Sequence, residues 1–463
     1  MNKYTISGII MLAAGCLFAA PLSLTQCRDM ALEHNQSVKA AQERTTAAQA
    51  QQRSAFTHFL PRVTAEGVYQ QMHKDLEYKT PDLALPVADA EGNIIIVTDP
   101  NGNPVLDPSG NPIVQNWALL PSQTLKLGNT HNYMAAVTVT QPLFTGGKLL
   151  EQYKTAGYEK SSMEESQRLT RQQVLYQTDQ RYWQVVSLKE KVALASAYQA
   201  TVQAHVADLQ TYRDEGFITD NDLLKAQVKL EQANLKVLQA TNGLTLATMA
   251  LNQLIGNELE TAIEVADSLT TAPQLQLDAS CTKNRPELAM LHNGIQTAAS
   301  LQRMSISRYL PNIALEGSYL WANPNPYNSF ADEFGADWTI GVVAQWDVFH
   351  WNERGFDTAA ISHHKRALEH QLAELDELTD LEIRQAQQHV TEGQQAVVSA
   401  QKAVTQAQKN LAMYHDRFSE GLATSTDVLD AQTLWLDTKS ALIDAQTDLQ
   451  LHYTALSKAL GTL

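Results

Sequence analysis

Proline is absent from residues 143–272 and again from 327–463, while nine of the 15 prolines fall between Pro61 and Pro142. Proline removes a backbone donor and clashes with the preceding turn, so spans of this length without it read as long helix. An ordinary set of globular domains is a poor fit to that pattern. The 463 residues carry 34 basic and 50 acidic side chains, a net charge of −16. That balance argues against a nucleic-acid partner, which would require basic surface. Beyond the N-terminus no run approaches the ~18 consecutive apolar residues of a membrane-spanning helix. Three cysteines, Cys16, Cys27 and Cys281, are too few for a disulfide scaffold or a multi-cysteine metal site.

Residues 1–20 read as an export signal. Lys3 precedes an apolar run from Ile6 to Ala20, too short to remain as a membrane span. Ala13-Ala14-Gly15-Cys16 resembles a lipobox, which makes Cys16 a candidate for lipidation; ordinary cleavage near residues 15–20 is the alternative. In either case the mature chain leaves the cytoplasm, and Cys27 and Cys281 share an oxidising compartment in which pairing is open to them.

Internal matches fix the organisation. Leu60-Pro61 and Glu66-Gly67-x-Tyr69 recur 250 residues later as Leu310-Pro311 and Glu316-Gly317-x-Tyr319. Glu215-Gly216, Asp222, Ala226-Gln227, Leu251 and Gly256 recur 205 residues later as Glu420-Gly421, Asp427, Ala431-Gln432, Leu456 and Gly461. Two fixed offsets describe one unit present twice, with a 45-residue length difference placed in the loop 76–130. The first repeat, 21–256, holds a helix (Leu24 to Phe56), a strand over 60–71, that loop, a strand over 131–142, a long helix over 148–213 and a helix over 219–256. A connector over 257–284 leads to the second repeat, 285–463. It holds a helix, a strand over 311–322, a loop, a strand over 337–349, a long helix over 352–418 and a helix over 424–461. The long helices, rich in Ala and Gln with apolar residues at 3-to-4 spacing, suit a coiled-coil-like wall.

The strands alternate. Val63, Ala65, Gly67 and Tyr69 interleave with polar residues, as do Trp338, Ile340, Val342 and Trp346. Strands of ~10 residues with one apolar face and aromatics near their ends, including Trp321 and Trp351, match membrane β-strands. Four strands cannot close a barrel, since ~8 is the smallest membrane example. Two chains would supply eight and three would supply twelve.

Taken in order, several segments resemble the TolC-like outer-membrane efflux proteins. They are the Leu-Pro strand starts, Gln141-Pro142-Leu143-Phe144-x-Gly146-Gly147, Gly421-x-x-Thr424-x-x-Asp427-Val428-Leu429-Asp430-Ala431 and the final Ala459-Leu460-Gly461. The resemblance covers both copies. It implies a mainly α protein with membrane β: a homotrimer with a twelve-stranded β-barrel in outer-membrane lipid, continued by a long α-helical barrel through the periplasm. The connector 257–284 and the C-terminus would form an equatorial belt. It further implies a passive duct without enzymatic activity or cofactor, joined to a periplasmic adaptor protein and an inner-membrane pump of RND, ABC or MFS type.

Asp427 and Asp430, three apart, share a helix face, and three chains would place each as a carboxylate ring. The resemblance matches these two, and Asp222 in the first copy, to the family's periplasmic entrance acids. Crowding in such a ring would raise the carboxyl pKa values. First-turn acids favoured by the helix dipole are the plainer reading. The tip residues Gly216, Phe217, Gly421 and Leu422 are the expected adaptor contacts, alongside a role in ending their helices. One departure stands out. Where better-known members carry an arginine and a tyrosine at the second tip, this chain has Ala423 and Phe418, which puts their entrance lock in doubt; Arg417 and Arg213 are nearby substitutes.

The insertion carries Asp89-x-x-Gly92-Asn93, Asp99-x-x-Gly102-Asn103 and Asp107-x-x-Gly110-Asn111, turn chemistry of hairpins on the outer side. Its spacing lacks the EF-hand loop pattern. Histidines such as His350, His363 and His364 are scattered and have no cysteine partners, so no metal site is expected. No nucleophile elbow, phosphate loop or zinc motif is present. Small-molecule or multidrug efflux leads, with type I protein secretion and metal-ion export as alternative cargoes. A periplasm-spanning structural coiled coil is the reading from another class.

Overall fold

The computed structural model describes residues 21–128, 130–269, 284–328 and 332–463. The export signal, Cys16, Cys281 and the second half of the expected connector lie outside the described residues. The chain divides into two compact units: a sheet unit of residues 54–151 and 303–356, and a helical unit made of the remaining segments.

The helices are α1 (Leu24–His34), α2 (Gln36–Thr57), α3 (Lys148–Asp214), α4 (Asp220–Ile255), α5 (Pro286–Ser307), α6 (Glu353–Ser419) and α7 (Ser425–Leu460). α3 and α6 have 67 residues each, and α4 and α7 have 36 each. At ~1.5 Å per residue, the long pair runs for about 100 Å. The helix expected over 24–56 is instead two helices. Asn35 takes an extended conformation, its N–H donates to Ala31 O at 3.0 Å, and its Oδ1 accepts from the Ser37 N–H at 2.8 Å. An asparagine amide offers the backbone an alternative to the helix ladder, and here it ends one helix and starts the next.

The helical unit buries small and branched residues. Cys27, Ala31, Tyr182, Val186, Leu251 and Ile255 pack in one cluster, and Ala386, Val390, Leu456 and Ala459 in another. Fully burying a side chain such as Leu251 stabilises by roughly 2 kcal/mol, and Leu251→Ala would cost about 2–5 kcal/mol. The segment before α1 is tied down by polar contacts. Leu22 bridges Val265, and the Tyr182 hydroxyl donates to Asp267 Oδ2 at 2.6 Å with Leu22 O, 2.9 Å away, as the other acceptor within reach.

In the sheet unit, β1 (Arg62–Gln71), β6 (His131–Phe144), β7 (Asn312–Asn323) and β8 (Gly335–Gln345) form one antiparallel sheet in the order β1-β6-β7-β8. The strand expected over 337–349 ends at Gln345. Beyond it the Arg354 guanidinium donates to Asp347 O at 2.5 Å and the Trp346 Nε1–H donates to Tyr309 O, so these groups turn to side chains and helix ends.

The segment expected as loop 76–130 holds four further strands, β2 (Leu76–Lys79), β3 (Leu83–Pro86), β4 (Trp117–Leu120) and β5 (Thr124–Gly128), with β2 paired to β5 and β3 to β4. At its tip the three Asp-x-x-Gly-Asn turns are alike. Each aspartate Oδ1 accepts the N–H groups two and four residues on. The turns are joined in a ring: Val97 N–H donates to Ile113 O, Ile113 N–H to Val105 O, and Val105 N–H to Val97 O, each at 2.8 Å. Backbone groups that a free loop would leave to water are thereby satisfied internally.

Candidate functional site

Both helix–turn–helix tips are built the same way. In the first, the Gly216 N–H donates to Arg213 O and the Phe217 N–H to Tyr212 O; in the second, Gly421 N–H donates to Phe418 O and Leu422 N–H to Arg417 O. This is the Schellman closure, and it requires the left-handed backbone that Gly216 (φ +81°) and Gly421 (φ +73°) provide. The next residues are then thrust outward. Phe217 is 75% and Leu422 63% exposed.

Thr219 and Thr424 open the returning helices. Thr219 Oγ accepts the Asp222 N–H, and Thr424 Oγ accepts the Asp427 N–H. Asp222 Oδ2 accepts from the Thr219 hydroxyl at 2.7 Å. Asp427 Oδ2 accepts from the Thr424 hydroxyl at 2.6 Å and from its N–H at 2.9 Å, closing a full capping box. These bonds to Thr424, helped by the charge of Arg417, hold the Asp427 carboxyl below its ordinary range. Asp222 and Asp427 thus each have a cap role. Asp430 lies one turn on, exposed, on the wall of a shallow groove of about 380 Å³ shared with Leu224, Lys225, Val228 and Thr426.

Between the tips lies a joint that sequence reasoning did not single out. His205 of α3 is buried and shares a 3.1 Å hydrogen bond with Ser425 Oγ, at the first residue of α7. Its ring meets Phe418 of α6 edge-on at 5.1 Å, and Phe418 also meets Tyr212 at 5.9 Å. Leu209, Leu223, Ala226 and Leu429 complete the cluster. Burial lowers the His205 pKa; Asp208 opposes that effect, and His415 adds to it. A signal was present, since His205 interrupts the buried 3-to-4 series Tyr198, Val202, Leu209. Of the two arginines weighed as lock substitutes, Arg213 pairs with Asp214 and Asp220 in its own tip, at 3.1 and 2.8 Å. Phe418, at the position where better-known members carry tyrosine, packs into the joint.

The sheet unit supplies the other functional surface. Its register aligns Ala65, Val137, Tyr319 and Trp338 across the four strands, and likewise Val63, Val139, Gly317 and Ile340. The adjacent row on the opposite face is Thr64, Thr138, Ser318 and Thr339, with Thr138 and Ser318 hydroxyls 3.3 Å apart. One face is apolar and exposed, the other polar. Such a sheet suits a wall between lipid and water. Among the described residues no helix is long and apolar enough to cross a membrane, and no group of three or more His, Cys, Asp or Glu is placed to hold a metal.

Long antiparallel helices joined to a two-faced sheet of this order define the fold of outer-membrane channels with an α-barrel and a β-barrel. Solved structures share it. The outer membrane protein VceC from Vibrio cholerae matches with a TM-score of 0.73 at 16% identity, covering 95% of this chain and 96% of that one. CusC matches with 0.74 at 15% identity over 94% and 91%. The Campylobacter jejuni CmeC outer membrane channel gives 0.72 at 16% over 95% and 85%. In sequence, the outer membrane protein TolC of Vibrio cholerae is 23% identical over 314 residues, 64% of this chain and 69% of that protein. Residues 27–257 and 279–462 match the family described as outer membrane efflux protein, and the chain belongs to that family. It is an outer-membrane efflux protein that extends into the periplasm, and it is not an enzyme.

Proposed function

We propose that this chain is the passive exit duct of a tripartite efflux system. Three copies would bring their sheets together, β8 of one against β1 of the next, into a twelve-stranded barrel in outer-membrane lipid. Their helices would continue it as a tunnel built from two repeats per chain. The observation that carries this is the sheet itself: four registered strands with an exposed apolar face and two open edges, too few to close alone. A second feature supports packing of copies along the helices. Leu224, Val228, Leu235, Leu238 and Leu246 form an exposed apolar stripe on α4.

At the tips, Asp427, Asp430 and Asp222 are the entrance acids in this reading, and three copies would set them as rings favouring cations. Gly216, Phe217, Gly421 and Leu422 are the surface for a periplasmic adaptor. An inner-membrane pump would supply the energy. Small-molecule efflux is the favoured cargo class, ahead of type I protein secretion and metal-ion export.

The barrel is tested by joining Thr64→Cys to Thr339→Cys, both on the polar face, with a short flexible bis-maleimide in outer membranes. A ladder that stops at trimer is expected. Monomers only, or a ladder that runs on without end, would sink the reading.

A further inference from the structure

The insertion between β1 and β6 carries a surface of one charge sign. Between Lys79 and Lys126 there is no lysine, arginine or histidine, while Asp82, Asp89, Glu91, Asp99 and Asp107 are all acidic. The three turn aspartates each spend one oxygen on backbone N–H groups of their own turn. Such bonds favour the charged form, and those from Asn103 and Asn101 hold the Asp99 carboxyl below its ordinary range. The segment is therefore anionic throughout.

Its stem is apolar. β3 reads Leu83-Ala84-Leu85-Pro86 and β4 reads Trp117-Ala118-Leu119-Leu120, with no polar side chain in either. The register sets Leu83 opposite Leu120 on one face and Ala84 opposite Leu119 on the other. Strands apolar on both faces are the pattern of a sheet covered on both sides. Here neither face is covered: Leu83, Leu85, Trp117 and Leu120 are exposed, and Leu119 is 68% exposed. A ribbon of two strands, four residues each, is also less than the roughly three strands that a stable sheet needs. Among the described residues β3 pairs only with β4 and β4 only with β3, so each has an open edge. Pro86 leaves β3 a donor short, whereas every residue of β4 keeps its N–H. β4 is the better template for another strand.

These observations decide the occupant. A second copy would set acids against acids, and anionic lipid headgroups would be repelled in the same way. A wholly polar partner would leave the leucines and Trp117 in water. We propose that the open edge of β4 takes an extended, basic and apolar polypeptide strand from outside the cell, by strand addition. Its apolar residues cover the ribbon, and its basic residues meet the aspartates. The placement outside rests on the reading of the sheet as a membrane wall, since the insertion leaves β1 at the end away from α2. The test separates the two.

The full chain, reconstituted in phosphatidylcholine nanodiscs, is titrated with dye-labelled peptides of about eight residues that alternate Lys-Val, Thr-Val, Glu-Val or Lys-Ser. Lys-Val should bind about tenfold tighter than the other three, and should weaken several-fold between about 50 and about 300 mM salt. Hydrogen exchange at the amides of residues 117–120 should slow when it is bound. Protection at the start of α7 instead would place the peptide on the entrance acids, and the surface would be wrong. Two variants localise the effect. Asp82→Asn with Asp89→Asn, Asp99→Asn and Asp107→Asn keeps the side-chain acceptors of the turns and removes their charge; the preference for Lys-Val over Thr-Val should vanish. Trp117→Thr with Leu119→Thr keeps strand propensity without the apolar cover; Lys-Val affinity should fall about tenfold, to the level of Lys-Ser. If wild type binds Lys-Val and Thr-Val alike, or if neither variant weakens Lys-Val, the proposal is wrong. Placement is read separately, by labelling Ser109→Cys on intact cells with a membrane-impermeant maleimide, with wild type as the blank. Absence of labelling would fail the wall; labelling without a Lys-Val preference fails the docking surface alone.

Discussion

His205 Nε2 lies 3.1 Å from Ser425 Oγ, a bond that ties the last turns of α3 to the first residue of α7. It joins the first-copy hairpin to the second inside the tip, with Phe418 of α6 closing over the imidazole. The two hairpins of one chain are therefore held together by a buried imidazole whose protonation burial disfavours.

Acidification should loosen this joint. Burial lowers the His205 pKa in the closed joint, so the opened joint binds the proton better. The joint is at full strength above the ordinary histidine range of about 6.5 and weakens as pH falls through it. Of the groups facing the ring, His415 of α6 repels the proton and acts with burial, whereas Asp208 of α3 and the Ser425 hydrogen bond act against it without reversing the shift. Channel conductance in planar bilayers should rise from pH 7.5 to about 5.5. His205→Gln, which keeps a hydrogen-bonding group without the titration, should flatten that rise. Ser425→Ala, leaving His205 without this bond, should destabilise the tip by roughly 1–3 kcal/mol. A pH response that survives His205→Gln unchanged would place the sensor elsewhere.

Asp430 and Asp427 should separate pore charge from helix capping. Asp430 stands outside the capping box, so Asp430→Asn should reduce cation-over-anion permeability roughly twofold with no change in melting. Asp427→Ala should do the same and also loosen the start of α7, since its carboxylate holds both Thr424 donors. The Asp427 pKa is lowered in the fold, so its contribution to the cap is present above the ordinary carboxylate range and is lost as pH falls through the lowered value. Unchanged selectivity in the double variant would remove both acids from the pore.

A third expectation concerns Asp179, fully buried on α3. It accepts from Arg28 Nε of α1 at 2.7 Å and pairs with the same guanidinium through its other oxygen at 2.5 Å; Thr454 of α7 donates to it at 3.1 Å. Arg28→Ala would strand the carboxylate. Because the arginine is one-third exposed, the cost is set at the low end for a broken buried pair, about 2–3 kcal/mol. Hydrogen exchange should show α1 opening first, and Cys27 beside it becoming reactive. In the intact fold burial and the Asp267 charge push the Cys27 thiol up to about 11, which keeps it protonated and inert. Rapid maleimide labelling of wild-type Cys27 in the native protein would contradict this.

These contacts show where the sequence could be read and where it could not. The long helices were legible because proline exclusion and 3-to-4 spacing are local signals, and the tips because Glu-Gly and Thr-x-x-Asp each occur twice. The alternation of Val63, Ala65, Gly67 and Tyr69 gave the two faces of β1 before any partner strand was known. The His205–Ser425 and Arg28–Asp179 pairs span 220 and 151 residues, and no local pattern encodes such pairing. Asn35 was hidden for the opposite reason, because a single amide hydrogen bond outweighed the helix propensity of its neighbours. The ring of Val97, Val105 and Ile113 depends on three turns closing together, although the turns themselves could be read from Asp, Gly and Asn.

That closure makes the segment separable. The Val87 N–H donates to Asn116 O at 3.0 Å, so the chain leaves and re-enters the β3–β4 ladder at adjacent positions. The bonds of the three Asp turns and the Val97–Val105–Ile113 ring all run among residues 89–113. Replacing residues 88–115 by a two-residue Asn-Gly turn should leave the ladder intact, because that turn suits a two-residue hairpin. Shortening a surface loop carries little entropic cost and removes no core residue. The shortened chain should assemble in outer membranes at a yield within about twofold of wild type, with melting unchanged and efflux complementation retained. Loss of assembly would show that the ring braces the barrel instead of standing apart from it.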